Sequence, residues 1–321
     1  MKELSKDSAT WHEVGEESAE QRVDNYLTRL LKGVPKSHIY RILRSGEVRV
    51  NSGRVGPDYR LQPGDRLRIP PIRVAQRHKQ PAGPAAGRWE EQILYEDEAL
   101  LVLNKPAGLA VHGGSGVSFG VVEQLRHARP QEKFLELVHR LDRDTSGVLL
   151  LAKKRSALTA LHEQLRAGRV QKFYLALVHG QWRNRKQSVK LALNKYVLAS
   201  GERRVSVAPD GLASHTVFAL KQAWPEFSLL EAELKTGRTH QIRVHLSHLG
   251  FPIAGDDKYG DFALNKQLVK QGLKRMFLHA RKLVLIHPLT GSRITFEAPL
   301  PAELQSFIDR LDAATVTVAE V

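Results

Sequence analysis

The hydrophobic residues of this chain are concentrated in short continuous runs, which are separated by polar stretches and helical patterns. Runs of aliphatic and β-branched residues predict buried strands, and they occur at 100–103, 148–151, 174–178 and 227–231. Apolar residues at helical spacing follow the second run, over 156–166. Strands mixed with helices in this way predict an α/β (α+β) domain, which we place at residues 90–312.

A smaller set of patterns precedes that domain. Apolar residues at helical spacing predict a helix over 23–31, and Ser37 is a candidate N-cap for a second helix. Alternating apolar and polar residues predict strands over 47–51 and 66–69, which turn signals separate. These elements predict a small module at residues 19–72.

The segments that flank the two regions have no comparable pattern. Residues 1–18 are polar and acidic, and we expect a loosely ordered lead-in there. Residues 73–89 are rich in Pro, Gly and Ala with little to bury, which is typical of a linker. Residues 313–321 lack a clear pattern, and we expect a frayed tail.

The charge of the chain favours a polyanionic partner. Its 321 residues include 49 Lys and Arg against 34 Asp and Glu, a formal net charge of +15, which makes nucleic acid the expected partner and an anionic membrane the competitor. No apolar stretch is long enough to span a bilayer, and the first residues lack a signal region, so we expect a cytoplasmic protein. The absence of cysteine excludes disulfides and thiol-ligated metals.

The most unusual polar segment is HRLDRDTSG at 139–147, directly before the run at 148–151. Asp142 lies there between two arginines, and nearby cations favour an ionised carboxylate. An ionised, positioned Asp can act as a nucleophile or a base. The alternative is a surface loop of exposed ion pairs, which contribute little to stability.

Three further segments carry candidate chemistry. Lys105, in NKPAGLAVHGG at 104–114, either contacts a phosphate or is merely solvated. Tyr174, in KFY at 172–174, opens a strand, and by itself such a tyrosine is more often a core aromatic. The segment KTGRTHQIRVH at 235–245 gathers basic and imidazole groups after a Gly turn.

Two groups of residues in these regions leave alternatives open. His240, His245 and His248 have spacings at which helical histidines can bind zinc, but no His-Glu-x-x-His pattern is present, so nucleic-acid contacts or core hydrogen bonds are preferred. In the small module, Arg41 and Arg44 share one helix face. That face either binds phosphates or is an ordinary solvated surface.

In their order along the chain, the segments at 104–114, 139–147, 172–174 and 235–245 resemble those of pseudouridine synthases of the large-subunit ribosomal group. Residues 20–70 resemble the S4 RNA-binding module that precedes the catalytic domain in that family, and the resemblance covers about residues 20–300. It implies a mixed, largely antiparallel sheet and an isomerase that converts specific uridines of 23S ribosomal RNA to pseudouridine without cofactor or metal. The substrate is then large-subunit RNA, free or in pre-ribosomal particles.

The resemblance also implies roles for individual residues. Asp142 is the catalytic aspartate, Tyr174 stacks on the target base, Arg243 pairs with the catalytic carboxylate, and Arg140 enters the RNA helix where the base was extruded. Asp144 has no expected chemical role. We expect a further set of basic and imidazole residues to contact RNA: His139, Lys105, Lys36, Arg41, Arg44, Arg49, Arg238 and His240.

Several alternatives remain open from sequence. Asp142 could attack C6 of uracil or C1′ of ribose, or could act mainly on an intermediate. The chain could be a ribosome-assembly or RNA-binding protein without catalysis. A glycosidase pair of Asp142 and Asp144 is disfavoured, because carboxylates two residues apart do not normally flank a sugar from opposite sides. The strongly cationic surface favours a monomer.

Overall fold

The computed structural model describes residues 8–31, 34, 36–72, 89–113, 119–198 and 202–319. The chain divides into two units, residues 1–85 and 86–321. The expected linker at 73–89 lies outside the described residues except for Trp89. That side chain is only 6% exposed and packs in the core of the second unit, so assigning it to the linker is wrong.

The described residues of the first unit form a four-stranded antiparallel sheet with two α-helices. Its elements are β1 (Thr10–Glu13), α1 (Val23–Leu30), α2 (Lys36–Arg44), β2 (Arg49–Val50), β3 (Gly53–Arg54) and β4 (Arg66–Ile69). The strand order is β1-β4-β2-β3. Leu27 from α1, Ile39 from α2 and Leu67 from β4 are fully buried in one core, because the apolar faces of both helices pack on the sheet.

The lead-in is more ordered than its composition suggested. Strand β1 pairs with β4 in a register that places Thr10 opposite Ile69, and the Arg66 guanidinium lies 5.5 Å from the centre of the Trp11 ring. The expectation of a loose segment is therefore wrong for residues 10–13. Sequence reading missed this strand because its pairing partner lies more than fifty residues further along the chain.

The second unit is built on a ten-stranded sheet. Its sheet strands are β5 (Ile93–Glu96), β6 (Leu100–Lys105), β7 (Glu136–Leu137), β8 (Ser146–Ala152), β9 (Gln171–His179), β10 (Lys186–Lys190), β13 (His215–Ala223), β14 (Phe227–Leu234), β15 (Leu278–Ile286) and β16 (Arg293–Glu297). A separate hairpin is formed by β11 (Leu193–Val197) and β12 (Arg203–Val207). The helices are α3 (Val121–Ala128), α4 (Arg155–Arg166), α5 (Gln241–His248), α6 (Phe262–Lys270) and α7 (Ala302–Ala319).

The sheet order β10-β13-β14-β9-β15-β8-β6-β5 brings strands that are distant in sequence together at its centre. Strands β8 and β15 run parallel, whereas the other pairings among the described residues are antiparallel. The predicted mixed, largely antiparallel sheet is confirmed. Gly147 is required where β8 meets β15, because its φ is +111° and a Cβ there would lie 2.2 Å from the Ala280 carbonyl oxygen.

The predicted central strand is buried along its whole length. All seven residues of β8 are buried, since α4 packs on one face of the sheet through Leu158 and Leu161 and a second core covers the other face with Val121 and Ile242. Burial on both faces explains the continuous apolar run in the sequence.

The C-terminal segment differs from the prediction. Helix α7 continues to Ala319 and packs through Leu304, Phe307 and Ile308, so a frayed tail is wrong up to that residue. None of the helices in the described ranges combines the length and apolarity that crossing a membrane requires.

Candidate active site

Three chain segments meet at a cavity of about 390 Å³ in the second unit. The loop before β8 contributes Asp142, the start of β9 contributes Tyr174, and the turn and first residues of α5 contribute Arg243. A second cavity of about 240 Å³ also touches Arg140 and Asp142 and includes Lys258. The sheet order therefore brings together residues that are a hundred positions apart in sequence.

Asp142 is the carboxylate at the centre of this arrangement. Its Oδ2 lies 3.5 Å from Arg243 Nη1, its Oδ1 lies 3.9 Å from His240 Nε2, and its side chain is 21% exposed. The Arg243 guanidinium is thus within ion-pair distance of this carboxylate. The partial exposure leaves its oxygens accessible to a ligand in the cavity, as either a nucleophile or a base requires.

Arg243 is held by a carboxylate that sequence reasoning missed. Its Nε and Nη2 donate to the two oxygens of Asp256 at 2.7 and 2.6 Å, and the Arg243 side chain is only 3% exposed. Asp256 also accepts from the backbone N–H groups of Lys258 and Tyr259. Burial alone would lower the pKa of Arg243, but the hydrogen bonds and charge of Asp256, with the charge of Asp142, raise it.

The sequence gives one signal for Asp256, since it belongs to the segment DDKYG at 256–260, in which carboxylates and a tyrosine adjoin a glycine. The charge pairing could not be inferred from that pattern. Bidentate Arg–carboxylate geometry depends on the approach of α5 to the chain after Ile253, which only the fold determines. Asp256 therefore fixes Arg243 so that its remaining Nη1 faces Asp142.

The turn before α5 is locked by a buried amide. Gln241 Oε1 accepts from Thr236 Oγ1 at 2.7 Å and from the Arg238 N–H at 3.0 Å. Its Nε2 donates to the His215 carbonyl and to Thr216 Oγ1. His240, the N-cap residue, adopts a left-handed conformation with φ +54°, which is costly for a residue other than glycine. This conformation sets its ring between Tyr259 and Asp142.

Tyr174 forms one wall of the cavity. It is buried and lies on β9 opposite Ala232 of β14 and Ala280 of β15. Burial raises the pKa of its hydroxyl, and the nearby charge of Asp142 raises it further, so the ring stays neutral. A neutral aromatic ring that lines a cavity can stack on a planar ligand.

Lys105 is neither solvated nor placed at the surface for a phosphate contact, the two positions predicted from sequence. Its ammonium is fully buried and donates to the carbonyl oxygens of Pro106, Leu109 and Arg143 at 2.8, 2.9 and 3.0 Å. Burial lowers the pKa of Lys105 to about 7, although the charges of Asp144 and Asp142 oppose the shift. Both the phosphate contact and the solvated surface position are wrong. Lys105 instead ties the 104–109 turn to the loop that carries Asp142.

Replacing Lys105 by Met is expected to destabilise the protein. The carbonyl oxygens of Pro106, Leu109 and Arg143 would lose their charged donor, and each hydrogen bond to a charged group contributes about 1.5–3 kcal/mol. We expect the free energy of unfolding in urea to fall by at least about 3 kcal/mol. The matched control is Lys154→Met, whose exposed partner is Glu98 at 2.9 Å and whose loss should cost less than about 1 kcal/mol. Equal effects of the two substitutions would contradict the assignment.

The other predicted RNA-contacting residues fall into two groups. Arg140 and Arg238 are exposed at the cavity. His139 is partly exposed there, its Nε2 accepts from the Leu150 N–H, and burial lowers its pKa to about 4, so the ring is neutral. In the first unit, Arg41, Arg44 and Arg49 are exposed, whereas the side chain of Lys36 lies outside the described residues.

Two of the histidines considered as zinc ligands make other contacts. His245 is fully buried and its Nε2 lies 2.8 Å from Ser214 Oγ, while His240 contacts Tyr259. Across the described ranges, no three His, Cys, Asp or Glu side chains form a group that could hold a metal ion.

Comparison with known proteins connects this geometry to a family. The RNA pseudouridylate synthase family matches residues 99–248, and the S4 domain matches residues 21–67. The chain is 55% identical over 301 residues to ribosomal large subunit pseudouridine synthase C of Pasteurella multocida, covering 93% of this chain and 92% of that protein. The corresponding protein of Escherichia coli is 54% identical over 300 residues, covering 92% of this chain and 94% of that protein.

A solved structure supports the same conclusion. Human RNA Pseudouridylate Synthase Domain Containing 4 is similar with a TM-score of 0.59 and 27% identity, over 71% of this chain and 95% of that chain. The curated relatives match over both units of the chain, at identities far above those at which only the fold is shared. This chain therefore belongs to the RNA pseudouridylate synthase family, as an isomerase of uridine in RNA.

Proposed function

We propose that this protein converts specific uridines of large-subunit ribosomal RNA to pseudouridine, with Asp142 as the catalytic residue. The observation that carries the proposal is the Asp142–Arg243 contact of 3.5 Å at a cavity that Tyr174 lines. The relatives named as large subunit synthases support the choice of RNA. The second candidate is an RNA-binding protein without catalysis. RNA binding alone does not require a carboxylate that is fixed by an arginine at a cavity.

The residues of the cavity account for the steps of the isomerisation. A stacked uridine must first be flipped out, which costs a few kcal/mol. Arg140, exposed at the cavity, fills the vacated space in the RNA, and Tyr174 stacks on the flipped base, which stabilises it by about 1–3 kcal/mol. The N1–C1′ bond then breaks, the uracil rotates, and C5 bonds to C1′. The C5 proton is lost and N1 gains one, so the product is an isomer of uridine.

We propose RNA contacts in both units. In the first unit, Arg41, Arg44 and Arg49 are exposed on the S4 domain and bind phosphates. In the second, Arg238 and His240 border the cavity. The substrate and the net charge of +15 support a monomer that acts in the bacterial cytoplasm.

The proposal is tested with large-subunit RNA transcribed in vitro and carrying tritium at C5 of uridine. The purified protein should release tritium in proportion to new pseudouridine. Cells without this chain should lack pseudouridine at the same sites. Binding of the RNA without tritium release, under several RNA folding conditions, would favour the second candidate.

A further inference from the structure

One half-buried cation of the larger cavity has no acidic partner among the described residues. Lys172 lies on β9, half-buried, and lines the cavity with Tyr174. Within the described part of the chain, no hydrogen bond or ion pair engages its ammonium, and burial alone lowers its pKa. An uncompensated charge in a partly buried site destabilises a fold, so its position requires another explanation.

The carboxylates of the cavity do not supply that partner. Asp142 is the one acidic side chain among the described residues that line it, and it faces Arg243 and His240. Lys172 therefore has no carboxylate partner among the described residues that line the cavity.

The spacing along β9 places Lys172 at the edge of the stacking surface. Residues two apart on a strand point to the same face and lie roughly 7 Å apart, a distance comparable to the width of one pyrimidine ring. Gly237 borders the same space, and a Cβ at that position would lie 3.4 Å from Lys172 Nζ. Because Gly237 has no side chain, none covers the ammonium from that position.

We propose that Lys172 is a further catalytic residue, which donates to a carbonyl oxygen of the flipped uracil and stabilises the negative charge that develops there. This role rests on the proposed function. It fits every route open to Asp142. Attack on C6 moves an electron pair onto O4, whereas cleavage of N1–C1′ leaves the bond pair on N1, shared with O2 and O4. In each case a fixed cation at the oxygen lowers the barrier.

A phosphate contact is the competing role for this lysine. The exposed cations of the cavity, Arg140, Arg166 and Arg238, are better placed for the backbone, because phosphates stay at the surface when a base enters a cavity. Lys172 shares instead the half-buried face of the stacking residue. The uracil oxygens are therefore the favoured partner.

The test is Lys172→Met in single-turnover reactions of the full chain with tritiated RNA. We expect the rate at saturating RNA to fall by about 10²–10³-fold, the loss typical of one removed oxyanion donor, with little change in the dissociation constant. Lys172→Arg should restore part of the rate. The melting temperature of Lys172→Met should equal or exceed that of wild type, because an unpaired charge is removed. Weaker binding with an unchanged saturating rate would assign the lysine to a phosphate and overturn the proposal.

A leaving-group comparison separates this role from an indirect one. Fluorine at C5 stabilises negative charge on uracil. The reaction rate on RNA with 5-fluorouridine should therefore depend less on the Lys172 ammonium. Loss of the 5-fluorouridine nucleoside, followed by mass spectrometry, should then show a smaller defect of Lys172→Met than uridine does. Equal defects would overturn the role.

The control is Lys154→Met, which removes a lysine that lies outside the lining of the cavity and pairs with Glu98 at the surface. We expect its saturating rate and its dissociation constant for the RNA to stay near wild type. If wild type itself is inactive on the transcript, the proposed function fails and Lys172 loses its role with it. If wild type is active and Lys172→Met is equally active, only the role of Lys172 fails.

Discussion

Asp142→Asn is expected to reduce the single-turnover rate of pseudouridine formation by about 10⁴-fold or more, the upper range for removing an essential base or nucleophile. The amide has the shape of the carboxylate but lacks the negative charge on which each open route depends. RNA affinity should change little, because the exposed cations of both units remain. The rate is measured by tritium release at saturating RNA, and the affinity by filter binding.

The fold should tolerate this substitution. Arg243 keeps its two hydrogen bonds to Asp256 at 2.6 and 2.7 Å, so the loss of Asp142 leaves no buried charge unpaired. We expect the free energy of unfolding to stay within about 1 kcal/mol of wild type. The matched control is Asp144→Asn, which removes a carboxylate two residues away whose side-chain partner is the exposed Arg143. Substantial activity of Asp142→Asn, or an equal loss in Asp144→Asn, would refute the assignment of Asp142.

The parts of the fold that sequence reading predicted are those in which local pattern and tertiary burial agree. The apolar run at 148–151 lies within β8, where both sheet faces are covered. The pattern at 156–166 matches α4, whose Leu158 and Leu161 face the sheet. Strand β1 was missed because its alternation is short and its partner is distant. Helix α7 was missed at its end because residues 313–319 continue a helix that is anchored earlier, at Leu304 and Phe307.

The same distinction applies to the candidate site. Asp142, Tyr174 and Arg243 were named from motifs, because their residue types and order carry the resemblance. Asp256 holds Arg243 by a bidentate contact, and Lys172 lacks a partner among the described residues. Neither condition is visible in a linear pattern. Lys105 shows the converse, because a lysine before a proline suggested exposure while three carbonyl oxygens enclose it.

Arg243→Lys is expected to lower the saturating rate by about 10²–10³-fold, the cost of one misplaced or missing charge-stabilising group. A guanidinium reaches Asp256 with Nε and Nη2 and still presents Nη1 to Asp142. An ammonium is a point charge on a flexible stem and cannot satisfy both carboxylates in fixed directions. The buried charge of Asp256 would remain balanced, so the protein should fold.

Asp256→Asn separates orientation from charge. Arg243 and Asp142 both remain, but the guanidinium loses the partner that fixes its plane. We expect a rate loss on the order of tenfold to a hundredfold, as for outer partners that orient ligating groups, which is smaller than the loss in Arg243→Lys. The exposed Asp257, whose Oδ1 lies 3.4 Å from Arg243 Nη2, is the matched control, and Asp257→Asn should retain most of the rate.

The rank order of these three rate losses distinguishes an action of Arg243 on Asp142 from a purely structural role. If Arg243 acts on Asp142, the rate loss must follow how far each substitution disturbs the guanidinium: Arg243→Lys first, Asp256→Asn next and Asp257→Asn last. If Arg243 only stabilises the fold, rates per folded molecule would stay near wild type, and the loss would appear in the free energy of unfolding alone. Arg243→Met removes one partner of the buried pair with Asp256, a change that costs about 3–5 kcal/mol. The loss of unfolding free energy of this variant in urea is therefore the largest that a purely structural role of Arg243 would produce.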